Sequence, residues 1–145
     1  NYKISNKNIN MVLSYLCLWK ALSLIPGDGF VILEDDVRFD ADWKTHFDVG
    51  MTHLPADWDL LFLGSCCCQN RSDKREVWGR LHKIGYALCT HAFVVRAKAL
   101  PLLIDRCEKV WATIDIAIAL QCMPQLNCYA FLPRLATQFQ TNISP

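Results

Sequence analysis

The sequence lacks any apolar run long enough to cross a bilayer. It also lacks an excess of charge of either sign. Fifteen Lys and Arg stand against fourteen Asp and Glu, for a net charge of +1. Nothing there asks for nucleic acid or an anionic membrane as partner. No CxxC…CxxC spacing is present to hold zinc, and no Gly-rich loop is present to cradle a phosphate. Internal repeats and low-complexity tracts are absent too. The first residues, Asn1-Tyr2-Lys3, carry neither an initiating Met nor a signal-peptide pattern. The expectation is a chain cut from something longer, with its first strand–helix unit missing. Its compartment stays open between cytoplasm and the lumen of ER or Golgi.

What is present suits one compact domain over residues 1–145. Of the 145 residues 52% are apolar, enough for a sizeable core. The eight cysteines are many for this size. Cys66-Cys67-Cys68 is contiguous, poor geometry for a disulfide framework. Cys17, Cys89, Cys107 and Cys122 sit among apolar residues and read as small core fillers. Mostly reduced thiols are therefore expected.

Met11 to Leu22 reads as a buried helix, stopped by the turn signal Pro26-Gly27-Asp28-Gly29. Phe30-Val31-Ile32-Leu33 reads as a central strand, Asp42 to Met51 as a short helix and Leu60 to Leu63 as a second buried strand. Ser65 to Arg80 reads as an irregular loop. Strands are expected at 84–89, 92–96 and 127–132, and helices at 97–107 and 114–122, ahead of a polar tail. Strands alternate with helices and are apolar throughout. The pattern predicts an α/β layer fold with a mainly parallel sheet covered by helices on both faces. Ligands in such sheets bind beyond the carboxyl ends of strands.

Charge arrives abruptly at one such end, in Glu34-Asp35-Asp36. Three adjacent carboxylates after four apolar residues repel one another in a falling dielectric. A divalent cation relieves that repulsion, and hard oxygen ligands suit magnesium or manganese. Such an ion can bridge diphosphate oxygens and stabilise a leaving nucleoside diphosphate. The plain alternative is a solvated acidic turn.

The longer string Val31 to Phe39 (VILEDDVRF) resembles glycosyltransferase family 25, which includes lipooligosaccharide and procollagen galactosyltransferases. Other segments fit in order. Ser14-Tyr15-Leu16 with Trp19 is similar to the family's Ser-His-Leu…Trp helix, with Tyr15 where histidine is usual. Leu54 to Gly64 (LPADWDLLFLG) and Thr90 to Val95 followed by Ala99 and Leu102-Leu103 resemble two further family segments. Ile114-Asp115 matches a Pro-Val-Asp position, and Leu132-Pro133…Gln138…Thr141-Asn142-Ile143 echoes the family's tail.

The resemblance implies a GT-A-like fold and inverting transfer of a hexose, commonly galactose in this family, from a UDP-sugar donor to a hydroxyl of a glycan, lipooligosaccharide or protein acceptor, assisted by Mn2+ or Mg2+. It implies Asp36 as direct metal ligand, with Asp35 beside it. Glu34, Asp35, Arg38 and Gly64 fall on the donor. Asp115 becomes a candidate catalytic base or acceptor-binding carboxylate; its other reading is a helix N-cap. Asp59, at a strand start, reads as a structural hydrogen-bonder. His91 lies either near the acceptor or as a satisfied buried histidine. In the 65–80 segment, Arg71, Lys74, Arg75 and Arg80 suit a lid that closes on diphosphate, and Trp78 suits stacking on a sugar; a solvated variable loop is the other reading. Asn70-Arg71-Ser72 is a glycosylation sequon of a kind that arises by chance. The rival to an enzyme is a catalytically inactive carbohydrate- or protein-binding relative. A magnesium-dependent phosphoryl-transfer or phosphatase domain comes third.

Overall fold

The computed structural model describes residues 4–68 and 74–139. The first element is helix α1, Asn6–Leu22, whose start is capped by Ser5 Oγ accepting from Asn8 N at 3.3 Å. Its buried residues Val12, Tyr15, Leu16 and Trp19 recur at helical spacing and face the core. Strand β1 (Gly29–Leu33), strand β2 (Val37–Phe39) and helix α2 (Trp43–His53) follow. Next come β3 (Leu60–Cys66), β4 (Arg75–Trp78), β5 (Leu81–Ile84) and β6 (Leu88–Arg96). A 3-10 turn leads into α3 (Leu100–Cys107). Helix α4 (Ile114–Ala117) continues through a π turn to Cys122. The last strands are β7 (Cys128–Phe131) and β8 (Ala136–Gln138).

Six strands form one sheet in the order β1-β6-β3-β7-β5-β4, and β2 pairs with β8 in a separate ribbon. The chain is thus mixed α and β, as the alternation of elements suggested. The expectation of a mainly parallel sheet is corrected. Only β3 and β7 run parallel; the other four pairings are antiparallel. Apolar runs report cover on both faces, and that much holds for the inner strands β3, β6 and β7. One core cluster packs α1, α3 and α4 on one face. A second packs residues of α2 and the β2–β8 ribbon on the other. Uninterrupted apolar strands need two covered faces, and either strand direction allows them.

Two further expectations are corrected. Strand β1 is an edge strand, not a central one. Ile32 points into the first cluster, whereas Val31 and Leu33 are 57% and 49% exposed, because none of the described residues forms a layer over the second face at that edge. The stretch read as a loop is partly a hairpin: β4 and β5 pair across Gly79, which takes a positive φ of 51°. Asp59 acts as the structural hydrogen-bonder expected. Its Oδ2 accepts from Asn127 N at 2.8 Å and its Oδ1 pairs with Lys98 at 2.9 Å. No helix among the described residues is long and apolar enough to cross a membrane.

Candidate functional site

The acidic triplet occupies a tight turn at the end of the edge strand. Glu34 N still pairs with the carbonyl of His91 at 2.9 Å, and Val37 N then closes the turn on the Glu34 carbonyl at 3.4 Å. The ladder therefore stops within one residue, and the chain folds over the start of β6 into the ribbon. Glu34 and Asp36 are half-buried, and Asp35 is exposed.

Glu34 is gripped from three sides. The Tyr15 hydroxyl shares its proton between Glu34 Oε1 and the Thr90 carbonyl, both at 3.0 Å. Thr90 Oγ1 donates to the same carboxylate oxygen at 2.9 Å. Gln138 Nε2 donates to Glu34 Oε2 at 3.3 Å. Tyr15 is positioned by the buried stripe of α1, its ring against Trp19 and Phe93. Burial foremost, reinforced by the Glu34 charge, pushes its hydroxyl well above the usual tyrosine range. It remains a proton donor and is no candidate base. Where the resemblance has histidine, this chain places a neutral donor.

Asp36 is treated differently. Its Oδ2 accepts the second N–H of Gln138 at 3.3 Å, while its Oδ1 is buried without a partner among the described residues. An unmet buried acceptor costs about 1–3 kcal/mol, more when charged. The backbone holds it there, since Phe139 N donates to the Asp36 carbonyl at 2.7 Å. The guanidinium of Arg38 lies 4.4 Å over the Phe139 ring. Asp35, Asp36, Arg38 and Phe139 line an open cleft of about 480 Å3.

A neighbouring cleft of about 220 Å3 brings Glu34, Thr90, Asp115 and Gln138 together under the first turns of α1. Asp115 sits in the first turn of α4, where Thr113 holds the N-cap position. Its Oδ1 accepts from Thr113 Oγ1 and from Ile116 N at 2.9 Å. Its Oδ2 accepts from Cys89 N at 3.2 Å. Cys89 has a positive φ of 65° and opens an irregular stretch of the β3–β6 ladder. The bend turns Thr90 toward Glu34. Cys89 is also disulfide-bonded to Cys66, with Cα atoms 5.6 Å apart, which corrects its reading as a core filler. Cys17 is exposed, so it fills no core either; Cys107 and Cys122 are buried thiols as expected. Linear spacing hid the bridge, because its two halves meet only through strand pairing.

The remaining candidates line neither of these clefts. A Cβ on Gly64 would collide with the His91 ring and the Ala136 carbonyl, so this glycine makes room for the packing of β8. His91 is fully buried; its Nε2 donates to the Ala136 carbonyl at 3.3 Å, and its Nδ1 has no partner among the described residues. Arg75 and Trp78 lie on β4, five strand spacings from β1, about 24 Å at 4.8 Å per strand. Trp78 stacks on His53 at 4.2 Å instead of facing the acidic turn. Arg71, the sequon at Asn70 and the tail residues Thr141 to Ile143 fall outside the described residues.

Among the described residues, no group of three or more His, Cys, Asp or Glu side chains is arranged to hold a metal ion. The described residues thus build no closed protein cage. The unmet Asp36 Oδ1 nevertheless suits magnesium or manganese held by one or two carboxylates and otherwise by water and phosphate oxygens. Compared with known proteins, the chain matches no family model and no curated protein. Its chemistry rests on the geometry itself. Tyr15, Thr90 and Gln138 are the contributors that sequence reading missed as a group. Each stands in a segment the resemblance singled out, yet only the fold shows them converging on one carboxylate.

Proposed function

We propose that this chain is a glycosyltransferase domain of the family 25 kind, GT-A-like in its site. It would move a hexose, galactose by the resemblance, from a UDP-sugar to an acceptor hydroxyl with inversion. The observation that supports this best is the buried Oδ1 of Asp36, unpartnered among the described residues, on a side chain that with Arg38 lines an open cleft. A manganese or magnesium ion there would offset the charge of a leaving diphosphate. Asp36 would hold the ion, with exposed Asp35 as second carboxylate. Arg38 would meet a phosphate oxygen. Glu34, fixed by Tyr15 and Thr90, would orient the donor sugar between the clefts. Asp115 faces the acceptor side; its Oδ2 has one donor at 3.2 Å and keeps a lone pair for the acceptor proton.

Calorimetric titration of UDP with and without Mn2+ tests this reading. Manganese-dependent binding that disappears in Asp36→Ala supports it; UDP binding indifferent to both overturns it. A second reading, an inactive sugar-binding relative, is favoured by the three donors already spent on Asp115. That reading predicts UDP-galactose binding with no release of UDP on prolonged incubation with acceptors.

A further inference from the structure

The side chain of Gln138 stands at the junction of the two clefts. It lines the one with Asp115 and donates to the carboxylate that lines the other. Both of its neighbours, Glu34 Oε2 and Asp36 Oδ2, are carboxylate oxygens that only accept. The amide face turned toward them is therefore the NH2 group. One N–H points at each carboxylate, and both bonds are 3.3 Å long. A pair of N–H dipoles between two anions does weakly what a cation between them does strongly.

We infer that Gln138 is a positioning residue that stands in for the cation and competes with it. This rests on the metal-assisted reading above. With the amide in place, the two carboxylates tolerate each other without an ion. A cation held by Asp36 would repel the N–H groups beside it and offset the charge they answer, so the Gln138 side chain would leave. Its departure removes the group at the junction and joins the clefts, which lets a donor phosphate and an acceptor occupy one continuous space. Gln138 is exposed on the last described strand, so the side chain has room to swing without disturbing the core.

The alternative has the opposite sign. If the amide merely turned over and presented Oε1 as a ligand, its loss would weaken the ion. Titration of Mn2+ in the presence of UDP, followed by the electron paramagnetic resonance of free Mn2+, separates the two. Gln138→Ala is expected to bind Mn2+ about five-fold tighter than the wild type, that is by about 1 kcal/mol. Without metal the variant should melt lower than the wild type, and saturating Mn2+ should erase the difference. Gln138→Met keeps the length and removes the donors, and should behave alike, which covers a packing defect in the alanine variant. Unchanged or weaker Mn2+ binding in both variants overturns the inference while the proposed function stands. If the wild type binds no Mn2+ with UDP, or if Asp36→Ala binds it as well as the wild type, the metal-assisted reading falls and the inference with it.

Discussion

Asp36 and Asp115 line adjoining clefts, and both were singled out for chemistry, yet the fold treats them in opposite ways. Asp115 has both oxygens answered, by a hydroxyl and two backbone N–H groups. Two of those donors belong to places that need an acceptor: the open start of α4 and the left-handed residue Cys89. Asp36 has one oxygen answered at long range and one buried with no partner among the described residues. A carboxylate with a donor on each oxygen holds backbone. One with a spare buried acceptor adds no stability through that oxygen and gains a partner from a ligand that reaches it.

The largest effect should come from removing the spare acceptor. Asp36→Ala should weaken UDP–Mn2+ binding by more than about 100-fold, since loss of outer-shell partners alone costs about 10–100-fold in metal affinity. Its melting temperature should hold or rise, because the variant no longer buries an unmet charge. Calorimetry paired with thermal unfolding checks both halves. A strongly destabilised Asp36→Ala that still binds would erase the contrast with Asp115.

Asp115→Ala should do the reverse. Three donors lose their acceptor, and the expected cost is about 2–3 kcal/mol of folding stability, read as a lower urea midpoint at constant slope. UDP–Mn2+ affinity should stay within about two-fold, since Asp115 lines the other cleft. Asp115→Asn sharpens the point. If it folds normally and sugar transfer persists, Asp115 serves only the backbone; if transfer collapses with binding intact, the carboxylate serves both ends.

Tyr15→Phe is a smaller step. Glu34 keeps Thr90 and Gln138, so about 1 kcal/mol should be lost near neutral pH. The pH dependence carries a clearer sign. The folded state holds the Tyr15 proton more tightly than the unfolded chain does. Above the ordinary tyrosine pKa of about 10 the unfolded state binds fewer protons, so the stability Tyr15 contributes is complete below pH 10 and falls as pH rises beyond it. Urea midpoints between pH 9 and about 11 should decline less steeply in Tyr15→Phe than in the wild type. Parallel slopes would mean that Tyr15 is not held as described.

Local patterns made much of this legible. The charge jump after Leu33 located the turn, and the apolar face of α1 located the helix that lies over it. What failed depended on distant neighbours. Val31 and Leu33 are as apolar as Ile32, and only the lack, among the described residues, of a second strand neighbour and of a covering layer sets β1 apart. Strand direction left no mark, because burial on both faces looks the same either way. The Cys66–Cys89 bridge joins residues 23 positions apart through a register shift. Gln138 sits in a three-residue strand inside a polar tail, too short for periodicity to show.

The smallest effect expected concerns Trp78, the residue whose sequence reading and position diverge most. In the charged 65–80 segment it suited stacking on a sugar, but it lies on the far edge of the sheet from Asp36 and packs against His53 of α2. Trp78→Ala should lose that ring pair, worth about 0.5–1.5 kcal/mol beyond its buried area. It should leave UDP–Mn2+ binding unchanged within error, as separations this large leave little coupling. The measurement tests the map of the site as a whole. A several-fold loss of donor affinity in Trp78→Ala would mean that the β4–β5 hairpin folds over the clefts when ligand binds. The contrast between Asp36 and Asp115 would then describe only the unliganded half of the cycle.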